Sequence, residues 1–409
     1  IQDERSNVAI LNYGNITGPR HGIDGGAPVA VSSHLTDLAN ASLSGNHEQL
    51  MTAPLLSITA TGPNGVVFDK HLDGVSTSDV TIANPVMINY AGSTITGKNG
   101  SGIGLDGYGV VINHGDISGN YAGEGNVYSH EVNSPTVTIN GQTITTNTNS
   151  NGDGDGVDID GVAYIYNAGS IRGTGAGGYD SGGRPNGADG IAAGGGVIIN
   201  KAGAEIYGQS TGILLDDGAN GTISNNPATA RDTGSTTGAT ARIYNEGSII
   251  GERKTAIGLV GDYADLLVNY ATGVIEGGPD AMRVDELGST TPAAAVQMGG
   301  GNDILINYGF ITGHNGKAID LGAGDDLLRL FGGKVNGTID GGTGNNTLET
   351  AGTQFFARGD LQNIQNINIT GGNTTFGGNL DVEGNLSVNG TLKTSGEQAD
   401  RIINVGGNY

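Results

Sequence analysis

The chain has 409 residues, 77 of them Gly, with no Trp, no Cys and a formal charge of -23. The missing cysteine excludes disulfides, thiolate metal sites and cysteine nucleophiles. The acidic balance argues against nucleic acid, whose phosphates need Lys and Arg, and suits hard divalent cations. Gly, Asn, Thr and Ser between regular Val, Ile and Leu point to many short strands joined by tight turns.

In chain order, the first residues, "IQDERSNVAI", carry neither Met nor a leader, and the chain reads as a mature or excised segment. No run of 18 apolar residues occurs, so no bilayer-spanning helix and no membrane insertion by this segment are expected. One phrase then recurs as "ILNYGNITG", "VINHGDISG", "IYNAGSIRG", "IYNEGSIIG" and "LINYGFITG", with longer versions such as "MINYAGSTITG". Its asparagines are Asn12, Asn89, Asn113, Asn167, Asn200, Asn245, Asn269 and Asn307. A second phrase, "GIxLD", precedes most copies, as in "SGIGLDG", "DGVDIDG" and "TGILLDD". Without insertions the unit is about 22 to 24 residues and holds three short strands.

So small a unit cannot bury its own apolar face, and its copies must stack. Asn in register at one turn of every coil bonds backbone groups there and its stacked neighbour. The expected fold is all-β: a right-handed parallel β-helix solenoid with an asparagine ladder. "GIGLDG" matches GxGxxG, but no βαβ unit surrounds it, and it reads as a repeat strand. The solenoid is expected over 1–352, with a short-coil end over 353–409. Insertions are expected at 28–56, 120–154, 174–188, 220–241 and 279–292. The last four border the GIxLD strands and could wall a cleft over them.

On those strands the second and fourth positions after Gly should point outward. This yields an acidic column through Asp69, Asp106, Asp160 and Asp216, with Asp158 beside Asp160. Paired carboxylates of this kind can serve glycoside chemistry as acid with base or nucleophile, which makes Asp158, Asp160, Asp106 and Asp216 the catalytic candidates. Arg184, Asn186, Asp189 and Asp217 could bind sugar hydroxyls or a uronate. Tyr179, Tyr128 and His130 stand in the loops, where aromatic groups could stack on sugar rings. A solvated acidic face is the alternative.

Within "NSNGDGDGVDIDG", Asn149, Asn151, Asp153, Gly154 and Asp160 match positions 1, 3, 5, 6 and 12 of a helix-loop-helix calcium loop. Position 1 is Asn, position 12 is Asp, and no helices flank it. Asn149, Asn151, Asp153, Asp155 and Asp160 are thus calcium candidates, against a polar turn entering a strand. "GGGNDILI", "GAGDDLLRL" and "GGTGNNTLE" each contain half a repeat-in-toxin nonapeptide. They lie 20 to 23 residues apart instead of in tandem, and mark a Gly-rich turn of successive coils. No HExxH or P-loop is present.

The "INYGxIxG" coils, the stretch "AIDLGAGDDLLRLFGGKVNGTIDGGTGNNTLE" and the tail "INITGGNTTFGGNLDVEGNLSVNGTLKTSG" resemble passenger domains of autotransporters, the type V secretion family. The resemblance covers most of the chain and implies fusion to an outer-membrane β-barrel that is missing here. It also implies display or release at the surface of a Gram-negative bacterium. Passenger functions vary, and the serine-nucleophile signature of the protease and esterase members is not recognised. The expected function is an adhesin or glycan-binding protein with carbohydrate or a host glycan as partner. A polysaccharide hydrolase or lyase is the alternative.

Overall fold

The structure, a computed structural model, describes residues 1–3, 9–25, 58–61, 67–70, 86–105, 109–121, 136–139, 142–145, 154–161, 163–176, 187–216, 240–281, 291–395 and 402–408. The described residues form a parallel β-helix with three strand series per coil. The asparagine series is a 12-stranded sheet whose strands, from Ala9–Asn12 to Leu386–Val388, neighbour one another in chain order. The GIxLD series runs from Ile23–Gly25 through Ile103–Leu105, Val157–Ile159, Ile191–Ala193, Ile213–Asp216 and Ile257–Val260. The third series, which includes Asp116–Tyr121, Ser170–Gly173 and Glu205–Gly208, carries Gly119, Gly173 and Gly208 in one register position. The last two series merge in one sheet because Phe310–Asp320 runs through both.

Period-2 alternation sets what is inside. Ile95, Ile117, Ile171, Ile206, Ile249 and Ile275 stack in register along the third series at 0–1% exposure. Burying each contributes about 1.5–3 kcal/mol. Val111, Ile165, Ile198, Ile243 and Leu267 do the same in the asparagine sheet. The outward face of that sheet is also buried and mostly apolar: Val110, Ile112, Tyr164, Ile199, Tyr244 and Val268 are 0–5% exposed, with Val197, Tyr166 and one cation, Arg242, at 6–8%. Its strands therefore read as continuous apolar runs, as parallel strands buried on both faces do.

The Gly that closes each phrase is required by close approach. A Cβ on Gly208 would lie 1.7 Å from the Thr211 carbonyl oxygen, because the chain turns tightly there into the next strand.

The asparagine ladder is present as expected. Asn113 Nδ2 donates to Asn167 Oδ1 at 2.8 Å and to the Ser170 carbonyl at 3.0 Å, and Asn113 Oδ1 accepts from Gly115 N at 3.1 Å. Each amide thus ties its own turn, the next turn and the next rung. Beyond Asn307 the column continues as Leu330, Thr350, Ile369 and Val388. The coil shortens over the same stretch: the Asn245–Asn269 step is 24 residues, Arg329–Glu349 is 20 and Glu349–Asn368 is 19.

Asp69 departs from expectation. It lies on Val67–Lys70, paired antiparallel with Ile58–Thr61, and so stands in a hairpin outside the solenoid register. The insertion over 120–154 likewise holds an antiparallel hairpin, Thr136–Ile139 with Gln142–Thr145. Asn120 and Tyr121 still belong to the preceding coil strand.

Candidate functional site

Asp158 lies between buried Val157 and Ile159, so its side chain points away from the core. Its stacked neighbours are Gly104 on one coil and Ala192 on the other. Asp160 follows the strand and is exposed, while its N–H bonds the Leu105 carbonyl at 3.0 Å. In register, the Asp158 column begins at Gln2 and Asp24 and runs through Gln297, Asp320 and Asp340 to Gln362. Asp24, Asp320 and Asp340 were not anticipated, although "GID" and "AID" are legible copies of the phrase. In the fourth-position column Asp216 pairs with Val260 along the backbone. Asp106, Tyr128, His130, Asn149, Asn151, Asp153, Tyr179, Arg184, Asn186 and Asp217 lie outside the described residues.

Asp155 and Asp189 were expected to face a cation and a ligand, respectively. Both are instead 5% exposed and belong to an inward polar column just before the GIxLD strands. Asp155 Oδ1 accepts from Asp189 N at 2.6 Å, and Asp189 Oδ1 accepts from Thr211 N at 2.9 Å. The column continues upstream through Ser101 and His21, where Ser101 N donates to His21 Nδ1 at 3.0 Å. Its sequence signal is a polar residue two positions before each strand: His21, Ser101, Asp155, Asp189, Thr211 and Thr255.

This register also departs from the calcium-loop geometry. Position 7 of such a loop offers its backbone carbonyl to the ion. Here that carbonyl, of Asp155, accepts from Gly102 N at 2.9 Å, and the following residues are extended strand. Among the described residues no group of three or more His, Asp or Glu is placed to hold a metal.

One stretch that sequence reading passed over, "GQSTG" at Gly208–Gly212, has G-x-S-x-G spacing. It is a coil corner between two strands, whereas a nucleophile elbow joins a strand to a helix. Ser210 hydrogen-bonds the Asp189 carboxyl, which burial holds above the usual carboxylate range.

Burial, with Arg20 nearby, depresses His21 to about 4 from its ordinary 6.5. At this site the folded chain then binds fewer protons than the unfolded one between these values. His21 stabilises the fold above about pH 6.5, and that contribution is lost as pH falls through about 4. A shift of this size corresponds to about 3 kcal/mol. We therefore expect the melting temperature of the wild type to fall relative to that of His21→Gln between pH 7 and 4. No relative change between the two proteins would remove His21 from the account.

No family model, no curated protein and no solved structure matches the chain. The class defined by the fold is therefore that of parallel β-helix repeat proteins.

Proposed function

We propose that this chain is an autotransporter passenger, displayed at or released from the surface of a Gram-negative bacterium, and that it binds glycans as an adhesin. The supporting observation is one of connectivity. The five stretches 26–85, 122–153, 177–186, 217–239 and 282–290 each precede or follow a strand of the GIxLD series. Inserted segments therefore attach next to one strand series of the solenoid, as binding loops on solenoids do. Asp158, standing between Gly104 and Ala192, gives that series a carboxylate able to accept hydrogen bonds from sugar hydroxyls.

The test is affinity electrophoresis of the purified chain against acidic and neutral bacterial and plant polysaccharides. At least one polymer should retard the wild type, with retention weakened about tenfold in Asp158→Asn or Asp160→Asn, as loss of a charged hydrogen bond would do. If no polymer retards the wild type, the glycan reading fails.

The alternation of Asp158 and Asp160 on one strand also favours a second reading, a polysaccharide hydrolase or lyase. Polymer shortened by the wild type and left intact by Asp158→Asn would establish that reading in place of the first. Export is tested separately: protease added to intact cells should remove the passenger while sparing a periplasmic control.

A further inference from the structure

A second column of acidic residues runs inside the C-terminal half, where the glycan reading assigns nothing. Asp265, Asp303 and Asp326 occupy one corner of three successive coils, just before the asparagine-series strands, and are 1–3% exposed. Each uses Oδ1 in the same way. Asp265 Oδ1 accepts from Ala241 N at 2.7 Å, Asp303 Oδ1 from Asp265 N at 2.7 Å, and Asp326 Oδ1 from Asp303 N at 2.8 Å. The second oxygens of Asp303 and Asp326 are buried with no hydrogen-bond partner among the described residues.

Full ionisation would leave buried like charges one coil apart. The charged and titratable groups around the column do not offset them. Arg242 lies beside Asp265, at one end, where its guanidinium donates to the Ala264 carbonyl at 3.3 Å and Tyr244 is its neighbour. Among the described residues, Asp303 faces Asp265 and Asp326, and Asp326 has Asp325 and Asp320 near it.

The chain itself shows which group the corner accepts. In the next coil the same rung is Asn346, whose Oδ1 takes Asp326 N at 3.0 Å, and the rung after that is Gln365, whose Oε1 takes Asn346 N at 2.7 Å. A protonated carboxyl is the acid counterpart of such a neutral amide, with one oxygen accepting and the other atom uncharged.

We propose that this column is a proton-binding latch: Asp265 and Asp303 are neutral carboxylic acids in the folded chain at neutral pH, and the coils they join loosen as those protons are lost in alkali. The direction of each shift agrees. Burial raises Asp326 to about 6, Asp265 to about 8 and Asp303 to about 10, from an ordinary 3.8. The folded chain thus holds protons that the unfolded chain has released. Their stabilisation is complete below about pH 4 and fades as pH rises through those folded values in turn.

The experiment is equilibrium unfolding of the whole chain from pH 6 to 9, for wild type, Asp303→Asn and Asp265→Asn, in EDTA and in calcium. Infrared spectra are recorded beside it. For each proton carried only by the folded state, the unfolding constant rises about tenfold per pH unit. Each single variant should lose about one proton from that slope and be more stable than wild type at pH 9. The carboxylic-acid C=O band present at pH 7 should weaken in both. If Asp303→Asn does not fold, Asp265→Asn and the wild-type band decide. Unchanged slopes with no acid band at pH 7 would overturn the proposal. Calcium that abolishes the wild-type band would overturn it too, in favour of a cation site.

Discussion

Asn200→Leu will destabilise the solenoid by about 3–6 kcal/mol, read as a lowered midpoint in urea. Asn200 is fully buried. Its Nδ2 donates to Asn245 Oδ1 at 2.8 Å and to the Ser248 carbonyl at 3.0 Å, and its Oδ1 accepts from Asn167 Nδ2 at 2.9 Å. Leucine matches the volume and leaves three buried polar partners short of a bond, at about 1–3 kcal/mol each. Asn200→Asp should be worse, because a carboxylate oxygen would replace the donor that now faces Asn245 Oδ1. Asn12→Leu, at the first rung and 6% exposed, should cost less because water reaches its partners. An Asn200→Leu protein within about 1 kcal/mol of wild type would show that the ladder does not hold the coils together.

Gly322→Ala will cost more than about 4 kcal/mol, through an unusual mechanism. Gly322 has φ +92, and a Cβ there would lie 1.7 Å from the Gly299 carbonyl oxygen. Gly342, one coil on, sits at φ +73 with its own Cβ position 1.7 Å from the Gly322 oxygen. These carbonyls cannot retreat, since Gly299 O accepts from Ala323 N at 3.0 Å and Gly322 O from Thr343 N at 2.8 Å. Gly316 is the control, with φ +89 and nothing within 4 Å of its Cβ position. Gly316→Ala should cost only the conformational term, about 1–2 kcal/mol. Thermal melts of both variants separate the two causes; equal losses would mean that the clash is relieved by motion.

The ladder was legible because one residue type, Asn, has one task at one corner, and the repeat exposes it. The outward placement of Asp158 was legible for a similar reason, since alternation fixes side-chain direction within a strand. Asp155 and Asp189 were misjudged because alternation says nothing about a corner residue. Their carboxylates turn inward to cap the N–H groups of the adjoining coil. Asp303 and Asp326 were hidden in another way: "GND" and "GDD" suggested a Gly-rich turn, and only stacking shows the last Asp of each inside it. Asp69 failed because "VVFDK" resembles the repeat strand locally, while its partner is a neighbouring antiparallel strand.

The ladder also has a polarity. From Asn12 to Asn307 every amide-to-amide bond runs in one sense, Nδ2–H of one coil to Oδ1 of the next. The Gly14, Gly115, Gly169 and Gly309 N–H groups, each donating to the Oδ1 of its own turn, hold that sense. Aligned amides add head to tail, as peptide units do along an α-helix. This all-β molecule thus carries a macrodipole made of side chains, with its negative end at Asn12 and its positive end at Asn307. Rungs in such a chain polarise one another by about 10–30% per bond. Cutting the column at its centre therefore shortens two dipoles at once, whereas trimming an end shortens one.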